Sequence, residues 1–162
     1  AEVMAERKPF KDWDKDSLNK AGRLIAEFEG FSPTVYRCQA GVRTIGYGHT
    51  RGVVDGQTIT KEDALRLLMS ELSTLQKALA SVIHVDVTEG QFVAILSLVY
   101  NIGMGNFRTS TLLRELNAGR IKHASEQFSH WIYVKKQPNK GLMNRREKER
   151  AVFDGEVKPC CH

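Results

Sequence analysis

The sequence predicts an α+β fold in which helices dominate. Apolar residues recur at helical spacing before residue 29 and again after residue 60, and this period disappears between residues 31 and 57. The intervening segment is rich in glycine, β-branched and aromatic residues, which is typical of short strands and tight turns. We therefore expect a small N-terminal lobe that contains a hairpin and a larger helical C-terminal lobe, joined by a long helix.

The first predicted helix starts at Asp16 or Ser17, because either side chain can cap a helix N-terminus. Its last apolar residue is Phe28, and Glu29 and Gly30 follow. Glycine commonly ends helices. We therefore expect Glu29 at the C-terminal end of this helix, directly before the hairpin segment.

The long connecting helix is predicted after Thr60, a capping residue followed by two acidic residues in the first turn. Its leucines continue to Leu79, which gives about five turns. Thr88 and Gln91 form a second capping pattern. The helix behind them is apolar almost all round, so we expect it to be the buried centre of the larger lobe.

The rest of the chain predicts shorter helices. One covers residues 111–118 and ends at Gly119, and another covers about residues 122–132. A turn at Pro138–Gly141 is expected to precede a last, basic helix over about residues 142–153.

The same patterns predict one domain with two terminal extensions. Residues 1–15 are polar and weakly patterned, so we expect a partly disordered arm and a core that starts after it. Residues 16–155 are expected to form the single domain, with a sheet lobe over about 29–60 and a helical lobe over about 80–155. Residues 156–162 are predicted to be a tail.

Composition and charge exclude several classes of protein. No apolar stretch approaches the roughly 20 residues that a membrane-crossing helix needs. The formal net charge of +5 favours polyanionic partners, but no basic, aromatic-rich ribbon is present, so we expect no nucleic-acid partner. The three cysteines lack the spacing of zinc ligands. We therefore expect no metal and no cofactor.

Three blocks of the sequence resemble one enzyme family. Glu29-Gly-Phe, then Cys38, then Thr44-Ile-Gly-Tyr-Gly-His-Thr resembles the glutamate, aspartate-or-cysteine, threonine signature of glycoside hydrolase family 24, the phage lysozymes or endolysins. Residues 100–113 and 141–150 resemble the later blocks of that family. The similarity runs from about residue 18 to residue 153, in the family's order.

The resemblance implies a lysozyme-like fold and hydrolysis of the β-1,4 bond between N-acetylmuramic acid and N-acetylglucosamine in peptidoglycan, which lyses the host cell. By position it makes Glu29 the general acid, while Cys38 and Thr44 hold and activate the attacking water. A threonine hydroxyl suits this task because it both donates and accepts hydrogen bonds. Direct activation of water predicts an inverted anomeric product.

Glu29 and Thr44 also have ordinary interpretations. An isolated glutamate at a helix end is usually solvated, and a threonine in this segment suits a strand by propensity alone. If Glu29 is the acid, partial burial against Phe28 and Phe31 is expected to raise its pKa and keep it protonated near neutrality.

Cys38 departs from the family pattern, since most members resemble one another in having aspartate at this position. A thiol ionises near neutrality only if its pKa of about 8.5 is lowered. We expect that help from Arg37, Arg43 or the adjacent pair Arg145-Arg146. The alternative is a half-buried cysteine that acts as a small apolar group.

The resemblance also raises a redox hypothesis, because some secreted relatives with a catalytic cysteine are held inactive until their disulfides isomerise. Cys160 or Cys161 could then cap Cys38. We prefer the alternative that Cys160 and Cys161 belong to a disordered tail.

Four residues are expected at the substrate. Tyr47 lies between Gly46 and Gly48, whose small size lets sugar approach the backbone. The resemblance places Asn101 on the cleft floor, although helix-end geometry alone could explain that residue. A guanidinium group can hold either the acid or a substrate carboxylate. Arg145 is the first candidate for that guanidinium, and Arg146 is the alternative because the alignment can shift by one residue.

Two further pairs of side chains have expected roles. His49 could be a general base, but the resemblance favours a structural pair with Glu71. Trp13 and Trp131 could stack on sugars, although a single tryptophan near a helix is more often part of the core.

Two alternatives to hydrolysis remain open. A lytic transglycosylase also needs a glutamic acid but produces anhydro ends, and a protein without catalysis could simply bind the wall. We expect a monomer that acts on peptidoglycan in the periplasm of a bacterial, by resemblance Gram-negative, host. It would be synthesised in the host cytoplasm, with its export route left open.

Overall fold

The computed structural model describes residues 5–159. Within them, helices surround a central buried helix, and three short antiparallel pairs of strands lie at the periphery. The helices are α1 (Lys15–Glu29), α2 (Lys61–Ala80), α3 (Glu89–Ile102), α4 (Met104–Arg108), α5 (Thr111–Asn117), α6 (Ile121–Glu126) and α7 (Lys140–Phe153). The strands are β1 (Arg7–Lys8), β2 (Ser32–Arg37), β3 (Arg43–Gly46), β4 (Val87–Thr88), β5 (Tyr133–Val134) and β6 (Gln137–Pro138).

Helix α1 places Glu29 as predicted, at its last residue. Its N-terminal cap is Asp14, whose carboxylate accepts a hydrogen bond from the Ser17 amide, so the predicted caps Asp16 and Ser17 lie inside the first turn instead. Gly30 follows with φ +68°, which takes the chain out of the helical conformation and ends the helix. Glycine suits this position because residues with a Cβ rarely adopt a positive φ.

The predicted hairpin is formed by β2 and β3. Tyr36 lies opposite Thr44, and Arg37 lies opposite Arg43. This register puts Cys38 at the first residue after β2 and Thr44 inside β3, on adjacent arms of one hairpin. The two predicted water-holding residues are thus brought together by local pairing alone.

The predicted capping residues of α2 and α3 are confirmed. Thr60 accepts a hydrogen bond from the Asp63 amide, and Thr88 and Gln91 form a reciprocal capping box. Helix α2 has 20 residues and connects the hairpin region to the helical lobe. Helix α3 is buried along most of its length and packs against both α1 and α7. The core of the helical lobe therefore forms around α3, as predicted.

The prediction that the core starts after residue 15 is wrong for the described part of the arm. Strand β1 pairs with β4. The Phe10 side chain is 1% exposed and lies 4.7 Å from the Phe92 ring, centroid to centroid. Trp13 is buried and donates from its indole nitrogen to the Val87 carbonyl oxygen. Residues 5–15 thus cover one end of α3, and residues 1–4 lie outside the described residues.

The segment before α7 also differs from its prediction. Helix α6 ends at Glu126, and a 3-10 helix over Gln127–His130 replaces its second half. Residues 133–138 form a tight hairpin from β5 and β6, not a turn that begins at Pro138. Helix α7 starts at Lys140 with Asn139 as its cap. No helix within residues 5–159 is long and apolar enough to span a bilayer.

Candidate active site

A cleft of about 920 Å³ separates the hairpin from the helical lobe. The three predicted catalytic residues, Glu29, Cys38 and Thr44, all line it, although they come from the end of α1 and from two arms of the hairpin. The opposite wall is built from the ends of α3 and α7 and from the β5–β6 hairpin. Such an open, elongated cleft suits a polymeric ligand.

Glu29 is held by an ion pair from the opposite wall. Its side chain is 19% exposed, and its Oε2 atom accepts a hydrogen bond of 2.5 Å from Nη1 of Arg145. The Arg145 guanidinium lies 4.8 Å from the centre of the Phe28 ring, which adds a cation–π contact. One carboxyl oxygen is thus fixed by α7, and Oε1 remains for a ligand in the cleft.

Gly48 leaves the space that the Glu29 carboxyl group occupies. A Cβ atom on Gly48 would lie 2.7 Å from Oε1 and 2.8 Å from the carboxyl carbon of Glu29. Gly48 also has φ +82°. The Gly-Tyr-Gly sequence of the hairpin motif therefore determines where the Glu29 carboxyl group can lie, because only glycine permits this approach.

Replacement of Gly48 by alanine is expected to lower activity by about 100-fold, since a displacement of about 1 Å at a catalytic group has an effect of that size. The measurement is the rate of release of reducing ends from peptidoglycan. Gly52→Ala is the matched control, because Gly52 also has a positive φ (+68°) but nothing within 4 Å of its added Cβ. Equal activity losses in the two variants would contradict a specific collision with Glu29.

Arg145 belongs to a buried network of charges on α7. Its Nε donates to Oε2 of Glu149 (3.1 Å) and its Nη2 donates to the Ser97 carbonyl oxygen (3.0 Å). The Ser97 hydroxyl donates to the same Glu149 oxygen (2.5 Å). Each of the three guanidinium nitrogens thus donates a hydrogen bond, which fixes the position of the group that holds Glu29.

Of the two arginines predicted near the substrate, the structure brings only Arg145 to the acid. Arg146 is 2% exposed, does not line the cleft and donates to Glu149, to Asn101 Oδ1 (2.9 Å) and to the Trp131 carbonyl oxygen (3.1 Å). The prediction of Arg146 as a substrate-binding residue therefore fails because its donors are engaged inside the protein. Burial lowers the pKa of Arg146.

Cys38 lies half-buried at the start of the turn between β2 and β3. Burial raises the pKa of its thiol, but hydrogen bonds from the Val42 and Ala40 amides and from the Thr44 hydroxyl together bring that pKa below its ordinary value. The thiolate is therefore stabilised by the turn itself.

The predicted cationic partner of Cys38 is not among the groups that stabilise the thiolate. Arg37 donates to the Gly41 carbonyl oxygen, and Arg43 pairs with Asp55. Arg145 is engaged by Glu29 and Glu149. The sequence correctly suggested that this thiol needs help to ionise, but the help comes from N–H and O–H donors and not from a positive charge.

Thr44 contacts both the Cys38 thiol and the backbone of the turn. Its side chain is 2% exposed, and its hydroxyl donates to the Val42 carbonyl oxygen at 2.8 Å. The same hydroxyl also stabilises the Cys38 thiolate. Because a hydroxyl has one proton, these two hydrogen bonds are alternatives. Thr44 can thus turn its proton toward Cys38 when the thiol is ionised and toward Val42 when it is not.

Thr44→Val is expected to raise the pKa of Cys38, because the thiolate loses one of its hydrogen bonds, and a hydrogen bond to a charged group is worth roughly 1.5 kcal/mol. The thiolate fraction near neutrality then falls, and alkylation of Cys38 slows. The pH dependence of thiolate absorbance measures this, with Cys160 and Cys161 replaced by serine in every protein. Thr34→Val, on the same hairpin, is the control, and an unchanged thiol pKa in Thr44→Val would refute the contact.

The remaining predicted residues divide into supporting and cleft-lining groups. His49 Nδ1 lies 2.8 Å from Glu71 Oε1, which confirms the predicted structural pair. Tyr47 is 8% exposed, packs against Phe31 and is absent from the cleft walls, so its predicted contact with substrate does not fit its position. Asn101 is exposed and lines the cleft as predicted.

The two tryptophans differ. Trp13 is core, as its ordinary interpretation required, while Trp131 lines the cleft. Burial raises the pKa of Tyr100, whose hydroxyl donates to the Tyr47 carbonyl oxygen at 2.8 Å. Tyr100 therefore acts as a neutral donor that ties α3 to the hairpin.

Several residues at the site were missed by the sequence analysis. Glu149 anchors both arginines, and its spacing of three and four residues from them was the available signal. Asn139 donates to Gln39 at 2.6 Å and so links the cap of α7 to the turn that carries Cys38. Lys135 also lines the cleft. No local pattern predicts the contact between Asn139 and Gln39 or the position of Lys135 in the cleft, because both depend on the packing of segments about 100 residues apart.

No group of three histidine, cysteine, aspartate or glutamate side chains within residues 5–159 is arranged to hold a metal ion. The described residues bring a carboxyl group, a thiol and a hydroxyl group to the same cleft. A helix-end glutamate beside a hairpin that carries a second proton-transfer group is the arrangement expected of a glycoside hydrolase.

Comparison with known proteins places the chain more narrowly. The sequence profile described as phage lysozyme matches residues 26–149, and the chain belongs to this family. It is similar to an endolysin of Acyrthosiphon pisum secondary endosymbiont phage 1, with 42% identity over 81% of this chain and 92% of the relative. It is also similar to a SAR-endolysin of Enterobacteria phage P21, with 44% identity over 76% of each chain.

A solved structure agrees with this assignment. The endolysin from Escherichia coli O157:H7 phage FAHEc1 has 33% sequence identity and a TM-score of 0.75, over 85% of this chain and 92% of that one. The predicted family, the lysozyme-like α+β fold and the glycoside hydrolase class are thereby confirmed. The chain is a lysozyme, an enzyme that cleaves peptidoglycan.

Proposed function

We propose that this lysozyme hydrolyses the β-1,4 bond between N-acetylmuramic acid and N-acetylglucosamine, with Glu29 as the general acid and Cys38 with Thr44 as the site of the attacking water. The observation that carries this proposal is the meeting of these three residues in one cleft, with the carboxyl group on α1 and the water site on the hairpin.

In this mechanism the proton of Glu29 goes to the glycosidic oxygen as that oxygen leaves the anomeric carbon. Arg145 holds Oε2, so Oε1, beside Gly48, is the atom that faces the leaving group. Water attacks the anomeric carbon, and its proton goes to the Cys38 thiolate. The hydrogen-bond donors that lower the pKa of Cys38 stabilise the thiolate that serves as this base. Attack by water on the opposite face predicts inversion.

Two other outcomes are distinguishable by chemistry. A lytic transglycosylase needs no water site, so the paired thiol and hydroxyl favour hydrolysis. A protein that only binds the wall needs no buried arginine fixing a carboxylate, and the Arg145–Glu29 ion pair therefore favours catalysis. Each alternative gives a different product from the same substrate.

The test is mass spectrometry of fragments released from purified peptidoglycan under reducing conditions in ¹⁸O-labelled water. Reducing N-acetylmuramic acid ends that contain one labelled oxygen are expected. Anhydro ends without label would show that the enzyme is a lytic transglycosylase and not a hydrolase. Binding to peptidoglycan without release of fragments would show that the protein is a wall-binding module. Proton NMR of the first product formed then tests inversion.

The biological setting follows from the same proposal. We propose a monomer that acts on the periplasmic peptidoglycan of a bacterial host, with the net charge of +5 attracting it to an anionic wall. The catalytic unit comprises the sheet and helical lobes together with residues 5–15, which pack on α3. Nucleic acid is not a proposed partner.

A further inference from the structure

The hairpin of β5 and β6 has an unusual turn. Its two-residue loop consists of Lys135 and Lys136, with φ angles of 49° and 68°. They are the two non-glycine residues with positive φ in the described chain. Such turns favour Asn-Gly, because glycine and asparagine adopt this conformation at low cost. The local backbone therefore does not explain why lysines occupy this loop.

The two lysines differ in what they face. Lys135 lines the cleft, whereas Lys136 does not. Glu29, Lys135 and Arg145 supply the cleft's carboxyl, ammonium and guanidinium groups, and Arg145 is paired with Glu29 and with Glu149. The Lys135 ammonium group makes no ion pair or hydrogen bond with another residue between 5 and 159. Lys135 thus places a positive charge without a protein partner on the wall opposite the catalytic hairpin.

The hairpin lies at the catalytic part of the cleft. Asn139, directly after β6, donates a hydrogen bond to Gln39, and Gln39 directly follows Cys38. Tyr133 is 57% exposed and lines the cleft two residues before Lys135. The hairpin is therefore joined to the turn that carries Cys38, and it brings an aromatic ring and an ammonium group without a protein partner to the same cleft.

The substrate carries charge at the matching place. In peptidoglycan, the lactyl group of N-acetylmuramic acid is linked to a short peptide that bears free carboxylates. A glycan placed with its muramic acid unit at Glu29 directs this peptide out of the cleft, along one of its rims. If that rim is the β5–β6 hairpin, the Lys135 ammonium group can pair with a peptide carboxylate, and the exposed Tyr133 ring can cover the peptide's aliphatic parts.

We propose that Lys135 binds a carboxylate of the peptide stem, so that the β5–β6 hairpin makes the enzyme prefer glycan strands with negatively charged peptides. This inference rests on the proposed muramidase function. General attraction between a basic protein and an anionic polymer would involve Lys136 as much as Lys135, whereas a stem-binding site depends on Lys135 alone.

The test uses two substrates that differ only in the charge of the stem. Un-cross-linked peptidoglycan strands are assayed as isolated and after carbodiimide-coupled amidation of the peptide carboxylates with ammonia. Reducing ends are counted to obtain kcat and KM for the parent and for Lys135→Met, Lys135→Arg and Lys136→Met. Lys136→Met removes the same charge one residue away and is the matched control.

For the parent, amidation is expected to raise KM by about three- to fivefold, the size of an exposed ion pair, with kcat nearly unchanged. Lys135→Met should have, on both substrates, the KM that the parent has on the amidated substrate, so it should not discriminate between them. Lys135→Arg and Lys136→Met should discriminate as the parent does. Equal discrimination by Lys135→Met and parent would overturn the proposal, as would an equal loss in Lys136→Met. Failure of the proposed function is distinct, because no reducing ends would then be released from either substrate.

Discussion

Glu29→Gln is expected to lower the rate of glycan cleavage by about 1,000-fold or more while the fold persists. Glutamine is close in size to glutamate and its amide oxygen can still accept from Arg145, but it cannot donate a proton to the leaving oxygen. General acid catalysis contributes roughly 10²–10⁴-fold to such reactions. The loss should appear in kcat, with affinity for the glycan retained, because the replaced proton acts only in the transition state.

The controls separate chemistry from stability. Glu147→Gln removes a carboxylate from an exposed position of α7 and should leave both activity and melting temperature near those of the parent. Circular dichroism and thermal melting of Glu29→Gln should show a folded protein. Retention of more than a tenth of the parent rate in this variant would remove Glu29 from the role of general acid.

Much of the site was predictable because its key residues belong to local patterns. Helix capping signals placed the ends of α2 and α3, and Gly30 fixed the end of α1, so that Glu29 could be positioned from sequence. Cys38 and Thr44 meet because a hairpin joins residues that are close in the chain. Local signals determine such geometry, and a short motif is therefore informative about it.

The errors have one physical cause, which is contact between distant segments. Strand β1 has two residues and forms only because it pairs with β4, and Phe10 is core only because Phe92 lies beside it. Nothing in the first fifteen residues signals this. The choice between Arg145 and Arg146 depends likewise on which face of α7 meets α3, and neighbouring arginines are indistinguishable until that packing is known.

The β5–β6 hairpin was missed for a different reason. Sequence rules recognise two-residue hairpins by asparagine and glycine in the turn, and here two lysines adopt positive φ. The usual signal was absent because both turn positions are lysines, which disfavour the positive φ angles that they adopt here. Places where local preference and structure disagree are often functional, which agrees with the role proposed for Lys135.

Glu149→Gln is expected to destabilise the protein strongly, by about 3–5 kcal/mol, because it leaves buried arginines without their shared counter-charge. Glu149 is fully buried and accepts hydrogen bonds from Arg145, Arg146 and the Ser97 hydroxyl. With Glu29, the cluster contains two positive and two negative groups. Loss of one negative charge leaves a net positive cluster in the core, and the glutamine amide would direct N–H donors at guanidinium donors.

Thermal melting measures the effect. For a chain of this size, about 3 kcal/mol corresponds to a fall of roughly 10 °C in Tm. Glu147→Gln, exposed on the same helix, serves again as the matched control and should change Tm by no more than about 2 °C, since surface replacements usually change stability by less than 0.5 kcal/mol. A Tm for Glu149→Gln within that same margin of the parent would show that the network is not needed for stability.

A double replacement distinguishes an uncompensated charge from simple loss of packing. Arg146→Met in the Glu149→Gln background removes one of the two buried positive charges, so the remaining Arg145 can be neutralised by Glu29. The double variant should therefore be less destabilised than the sum of the two single variants, with a coupling free energy of about 1 kcal/mol or more. Strict additivity would mean that the cluster stabilises α7 through packing, and that Arg145 can hold Glu29 without an electrostatic partner behind it.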